Sequence, residues 1–194
     1  GYVMVKYNGT NEKVKLQITC PDQSCYTYLI SDRGAYDTFP LTAGNGSYAL
    51  QVLENVAGDT YTVSLAQSIN VSIEDEFLPF LYPNQYVNFH TDSKAVSKGS
   101  DLAKDTYSDL DVVQNIYNYV IKNISYDTAK AQNVSYGYVP DIDDTLSSKK
   151  GICFDYAALM TSMLRSQNIP TKLEVGYSGD AYHAWISTYI DDKG

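Results

Sequence analysis

The spacing of apolar residues changes period part-way along this 194-residue chain, and that change limits the folds open to it. Up to about residue 75 the apolar side chains alternate, in Val14-x-Leu16-x-Ile18, Tyr48-x-Leu50-x-Val52, Tyr61-x-Val63-x-Leu65 and Val71-x-Ile73. A period of two gathers them on one face of pleated strands and leaves Lys13, Lys15, Gln17, Gln51, Thr62 and Ser64 on the other. Turn-forming groups separate the runs: Asn8-Gly9, Pro21-Asp22, Asp32-Arg33-Gly34, Gly44-Asn45-Gly46 and Gly58-Asp59. From Ser108 onward the period is helical, with Val113, Ile116, Tyr117, Val120 and Ile124 on one expected core stripe. Ser108 and Asp111 have the spacing of a helix-capping pair.

Six or seven short strands at this spacing predict an antiparallel β-sandwich of immunoglobulin type over residues 1–76. A strand-flanking Cys pair with a core Trp is missing there, so an antibody-type domain is excluded. Residues 77–103 read as an extended connector, because Pro79 and Pro83 interrupt an otherwise apolar stretch. A peptide-docking groove is the sharper alternative for that stretch. Residues 104–194 read as an α+β unit, with a second helix over Ile152–Gln167. Asn168 stands where a left-handed cap is wanted, Pro170 lies just beyond, and strands follow at Lys172–Tyr177 and Tyr182–Ile190. Asp141, Asp143 and Asp144 lack the Gly and closing Glu of a calcium loop, since Leu146 and Ile152 hold those places, and they read as helix-capping carboxylates in a solvated turn.

Charge narrows the function classes. The formal charge is −9, and residues 34–93 carry seven acids with no Lys or Arg, a surface that repels phosphate. Nucleic acid is excluded as a partner on this ground. No apolar run approaches the roughly 20 residues of a membrane-spanning helix. The 19 Tyr against 5 Phe suit half-buried strand surfaces, or an aromatic binding face for glycan or peptide. Gly1 preceding strand-like Tyr2-Val3-Met4-Val5 looks like a cloning scar, which leaves room for a removed export signal.

Of the three cysteines, Cys20 and Cys25 lie close enough for a turn to join them in a disulfide, which in an exported protein would leave Cys153 as a reactive free thiol; in a reducing compartment all three would be free. Cys153 opens the second helix, after Gly151 and with Lys149 and Lys150 upstream. Helix N–H groups and nearby ammonium charges favour a thiolate, and the same N–H groups can receive an oxyanion. Gly151 would permit close approach of a substrate backbone. His183 opens the strand His183-Ala184-Trp185, and an imidazole beside the thiol could take its proton and return it to a leaving amine. Trp185 shares the face of His183 and could wall the ring from water. A free Cys and a lone His are more often structural than catalytic.

Context alters that balance. Lys150-Gly-Ile-Cys-Phe-Asp-Tyr-Ala157, Leu164-Arg-Ser-Gln-Asn-Ile-Pro170, Val175-Gly-Tyr177 and His183-Ala-Trp185 follow one another in order. The string resembles the transglutaminase-like (transglutaminase/protease-like) superfamily over about residues 104–190, Tyr126-Asp127 included. The resemblance implies a papain-like α+β core, no cofactor, and acyl transfer through a thioester, with Cys153 as nucleophile and His183 as base and acid. The family's third triad member is an Asp on the strand after the His strand. Asp191 and Asp192 match the intervening turn, so that role is not placed on them and is expected beyond Gly194. Asp155 reads as an acid in the first helical turn, and His90, outside the matched region, as an ordinary residue.

The expected function is thiol-dependent hydrolysis of protein or peptide amides, in a secreted or cell-surface setting. Protein cross-linking with a Lys amine as acceptor is the alternative. A reading of another class is a non-catalytic surface binding or adhesion protein that keeps the core as a scaffold.

Overall fold

A computed structural model describes residues 1–31 and 34–191, and the chain divides into two compact units, Gly1–Pro79 and Phe80–Gly194. In the first unit, strand β1 (Tyr2–Lys6) pairs antiparallel with β4 (Tyr36–Pro40). A four-stranded antiparallel sheet of order β3-β2-β5-β6 is built from β2 (Val14–Thr19), β3 (Cys25–Leu29), β5 (Gly46–Ala57) and β6 (Thr60–Val71). One core joins the sheets: Leu16, Ile18 and Tyr48 from the larger, Phe39 from the smaller, and Leu41 just after β4. Each such side chain stabilises by about 1.5–3 kcal/mol relative to exposure. Gly58, at φ +53°, makes the tight connection between β5 and β6.

Tyr48 is fully buried near the start of β5, where its hydroxyl donates to the Gly44 carbonyl at 2.8 Å and accepts the Ala43 N–H at 3.1 Å. One expectation fails in this unit, and one open alternative is decided. Val63 and Leu65 are about half exposed instead of buried: β6 is the outer strand of its sheet, and the β6 residues that pack on the core are Ile69 and Val71. Cys20 and Cys25 are both free thiols. Cys25 is paired with Thr19 in the ladder, so alternation turns it to the exposed face while Cys20 points into the core. The turn between them is closed by the Cys20 N–H donating to the Ser24 carbonyl at 2.8 Å. Asp32 and Arg33 of one expected turn lie outside the described residues.

The second unit is organised around one buried helix. Its elements are α1 (Lys94–Ala103), α2 (Asp109–Asn123), β7 (Ser125–Tyr126), α3 (Thr128–Gln132), α4 (Ile142–Ser148), β8 (Lys150–Gly151), α5 (Cys153–Ser166), β9 (Thr171–Ser178) and β10 (Ala181–Thr188). Helix α5 touches α1, α2, α4 and the β9–β10 hairpin, and its residues from Ala157 to Arg165 are all buried. Asn168 takes the left-handed cap, at φ +62°.

Helix α1 falls inside the stretch expected to be an extended connector, and Leu78–Phe80 there form a 3₁₀ turn. Ala95 and Gly99, one turn apart, let α1 lie directly on α5: a Cβ on Gly99 would sit 3.1 Å from the Met163 carbonyl oxygen. The first two N–H groups of α1 are satisfied from outside, by the Asp143 carboxylate at 3.0 Å from the Lys94 nitrogen and 2.9 Å from that of Ala95. Asp141 caps α4 by accepting the N–H groups of Asp143 and Asp144, so the acidic turn does serve as helix caps. Helix α2 begins at Ser108 as expected, its Oγ accepting the Asp111 N–H. Its buried stripe, however, is Val112, Ile116 and Val120, with Ile124 just after the helix, and Tyr117 of the expected stripe is half exposed.

Candidate active site

The turn that carries Cys153 is assembled from several short pieces. Helix α4 ends at Lys149 in the left-handed conformation, φ +57°, which redirects the chain into β8. Strand β8 runs parallel to β7, and the Asp127 N–H donates to the Gly151 carbonyl at 2.9 Å. Ile152 is the N-cap and Cys153 the first residue of α5, its free thiol only partly buried. The N–H groups of the first turn of a helix have no partner inside it, so an acceptor brought to Cys153 meets donors and the positive end of the dipole.

Asp155 holds this turn from beneath. Its carboxylate is completely buried and accepts from the Ile152 N–H at 2.8 Å, from the Lys130 ammonium at 2.8 Å, and from the Tyr138 hydroxyl through a short hydrogen bond. Lys130 also donates to the Tyr138 oxygen at 2.6 Å, and its own N–H donates to Asp127 at 2.9 Å. A buried charge persists only when paired and fully hydrogen-bonded, and this carboxylate has both. Burial and the hydrogen bond to Asp155 push the Tyr138 phenol up to about 12. Burial pulls Lys130 downward, but its bonds to Asp155 and Tyr138 outweigh that and hold it above the usual lysine range. Gly151 belongs to the same arrangement: a Cβ there would lie 2.7 Å from the Asp155 Cβ. Its small size makes room for Asp155, a reason distinct from the expected approach of substrate.

His183 lies on β10 opposite Gly176 of β9. Ala184 is buried, and Ile186 and Leu173 pack against the core that α5 shares, so alternation places His183 and Trp185 on the other, open face. The Trp185 ring lies across Gly176, where a Cβ would meet it at 3.3 Å, which sets the indole beside the position of His183. On that face Glu174 accepts from Lys172 at 3.0 Å and Ser187 at 2.5 Å. Burial pushes the Glu174 carboxyl up, but those bonds prevail and hold it below its usual range.

The lengths of α5 and the hairpin are commensurate. The Arg165 Nε donates to the Thr171 carbonyl at 2.9 Å, tying the end of α5 to the start of β9. Twelve residues of helix back to Cys153 rise about 18 Å, and five residues of strand on to Gly176 rise about 17 Å. Cys153 thus stands at the start of α5, and His183 on the face of the hairpin opposite the one that packs on the core α5 shares. Among the described residues, no hydrogen bond joins the two side chains, and none links a carboxylate to the His183 ring.

Sequence reasoning missed Lys130 and Tyr138. Asp155 was legible as a first-turn acid, but its partners come from 25 and 17 residues upstream, outside any recognisable motif.

A profile described as the transglutaminase-like superfamily matches residues 96–194. The UPF0252 protein MJ1282 of Methanocaldococcus jannaschii is 32% identical over 92 residues, 41% of this chain and 26% of that protein. The kyphoscoliosis peptidase of Homo sapiens is 29% identical over 107 residues, 48% of this chain and 16% of that one. The chain thus spans about a quarter or less of the curated relatives it matches. The crystal structure of a candidate cysteine protease from Cytophaga hutchinsonii superposes with a TM-score of 0.50 at 15% identity, covering 97% of this chain and 75% of that one, a likeness of fold. With more than half its length inside the matched profile, including Cys153 and His183, the chain belongs to the transglutaminase-like superfamily of thiol-dependent enzymes.

Proposed function

We propose that the chain carries out thiol-dependent acyl transfer on protein or peptide amides, with water as the usual acceptor. The observation that carries this reading is the placement of Cys153: an accessible free thiol at the first position of a buried helix, inside the family match. The thiolate sulfur attacks the amide carbonyl carbon, and the carbonyl electron pair moves onto oxygen, where first-turn N–H groups of α5 receive it. The tetrahedral species collapses to a thioester and expels the amine, which takes the proton that His183 had accepted from the thiol. Water, deprotonated by His183, then attacks the thioester; the acid leaves and the thiol is restored. This requires the imidazole to reach Sγ, a contact of the kind that commonly tightens only when substrate binds.

A second reading, a non-catalytic binding protein on the same scaffold, is favoured by the missing hydrogen bond between Cys153 and His183. We further read the first unit as immunoglobulin-like, on its strand order and on Tyr48, whose hydroxyl reaches back to the preceding corner as in that class. A secreted or surface setting accords with such a pairing of units.

Incubation with an unfolded protein and a fluorescent primary amine separates the possibilities. Released peptides without amine incorporation, lost in Cys153→Ala, support hydrolysis. Amine incorporation supports cross-linking, and neither product in wild type or variant supports the scaffold reading.

A further inference from the structure

We propose that Lys130 and Tyr138 are positioning residues for Cys153: by holding and neutralising the buried Asp155 carboxylate, they let it anchor the first turn of α5 without opposing a thiolate at the tip. The inference rests on Cys153 being the nucleophile. The other helix starts in this molecule show what capping alone requires. Helix α2 is capped by the exposed Ser108 with the half-buried Asp111, and α4 by the exposed Asp141. At α5 the acid is instead completely buried and takes donors from three separate segments, β8–α5, α3 and the loop before α4. Phe154, next to Cys153, stands edge-on to Tyr138 at 6.4 Å and to Tyr86 at 5.2 Å, an aromatic cover over the network.

Charge explains the expenditure. A carboxylate two residues from a thiolate disfavours that thiolate unless a cation cancels it, and low polarity around the pair magnifies the effect. Lys130 is the cation in contact with Asp155. The other groups that bear on this turn are Lys149 and Lys150, both exposed; Asp127, which caps α3; Tyr156, whose hydroxyl donates to the Ile124 carbonyl at 2.6 Å; and Tyr126 on β7.

The test is the rate of Cys153 alkylation by iodoacetamide against pH, read by peptide mass mapping on the full chain, with circular dichroism to confirm folding. Lys130→Met is expected to move the midpoint upward by about one unit, a roughly tenfold slower reaction below it. Lys130→Arg is expected to restore it, as is Lys130→Met combined with Asp155→Asn, which removes both charges. Tyr138→Phe, which keeps the ion pair, is expected to move it the same way by about half a unit. A folded Lys130→Met whose midpoint stays put, whatever its stability, overturns the inference. Should that variant not fold, an unmoved midpoint in Tyr138→Phe overturns it equally. Wild-type Cys153 reacting no faster than the exposed Cys25 would instead remove the nucleophile itself, and the inference with it.

Discussion

Substituting Gly151 by Ala separates two reasons for the glycine, room for a substrate backbone and room for Asp155. The added methyl carbon would lie 2.7 Å from the Asp155 Cβ and 3.1 Å from its Oδ2, closer than carbon atoms tolerate, so Asp155 must move. Overpacking of this kind costs about 1–3 kcal/mol. Displacing the carboxylate also strands the Ile152 N–H, now bonded at 2.8 Å, and an orphaned buried donor costs about 1–3 kcal/mol more. The sum, roughly 2–6 kcal/mol, is a large part of the 5–15 kcal/mol typical of a domain. Urea unfolding followed by the fluorescence of Trp185, the one Trp of the chain and part of the second unit, reads it directly. With a slope of about 2 kcal/mol per molar urea, the midpoint should fall by about 1–3 M. A Gly151→Ala protein with an unchanged midpoint and impaired activity would refute the packing argument and return Gly151 to the substrate.

Two further outcomes follow from the hydrogen-bond networks. Lys130 and Tyr138 both have folded values above their unfolded ones, so their contribution to stability is complete below about pH 10 and is lost as pH rises through about 12. Thermal unfolding of the second unit should therefore show an alkaline decline over that window, shallower in Tyr138→Phe; a flat wild-type profile there would contradict the sign. In the first unit, Tyr48→Phe removes the acceptor of the Ala43 N–H and the donor to Gly44, and should lower the stability of that unit by about 1–2 kcal/mol with its strands intact by circular dichroism.

Much of this was legible before any coordinates. The alternation in Val14-Leu16-Ile18 and the caps at Ser108 and Asn168 are short-range signals, and short-range physics decides them. Helix α1 was not legible, because Lys94–Ala103 carries Gly99 and two Ser and gains its stability from lying against α5, not from propensity. On α2 the expected Ile116, Val120 and Ile124 are buried and Val113 packs against the same core, but Val112 is covered where Tyr117 was expected, because tertiary packing and not the local pattern decides which edge of the stripe is covered. At the site, the placement of Cys153 at the helix start was readable from Gly151 and the apolar run after it. The Asp155 network was not, because its members meet only through the pairing of β7 with β8.

The central claim is that the Cys153 sulfur accepts an acyl group with help from His183. Exposure of the chain to p-nitrophenyl acetate at neutral pH, followed by mass mapping of the three cysteines, tests it most directly. The account predicts an acetyl thioester on Cys153 well ahead of Cys25, slowed at least about tenfold in His183→Ala, in keeping with what general base catalysis contributes. Acetylation of the exposed Cys25 at an equal or greater rate, or a Cys153 adduct indifferent to the loss of His183, would contradict it.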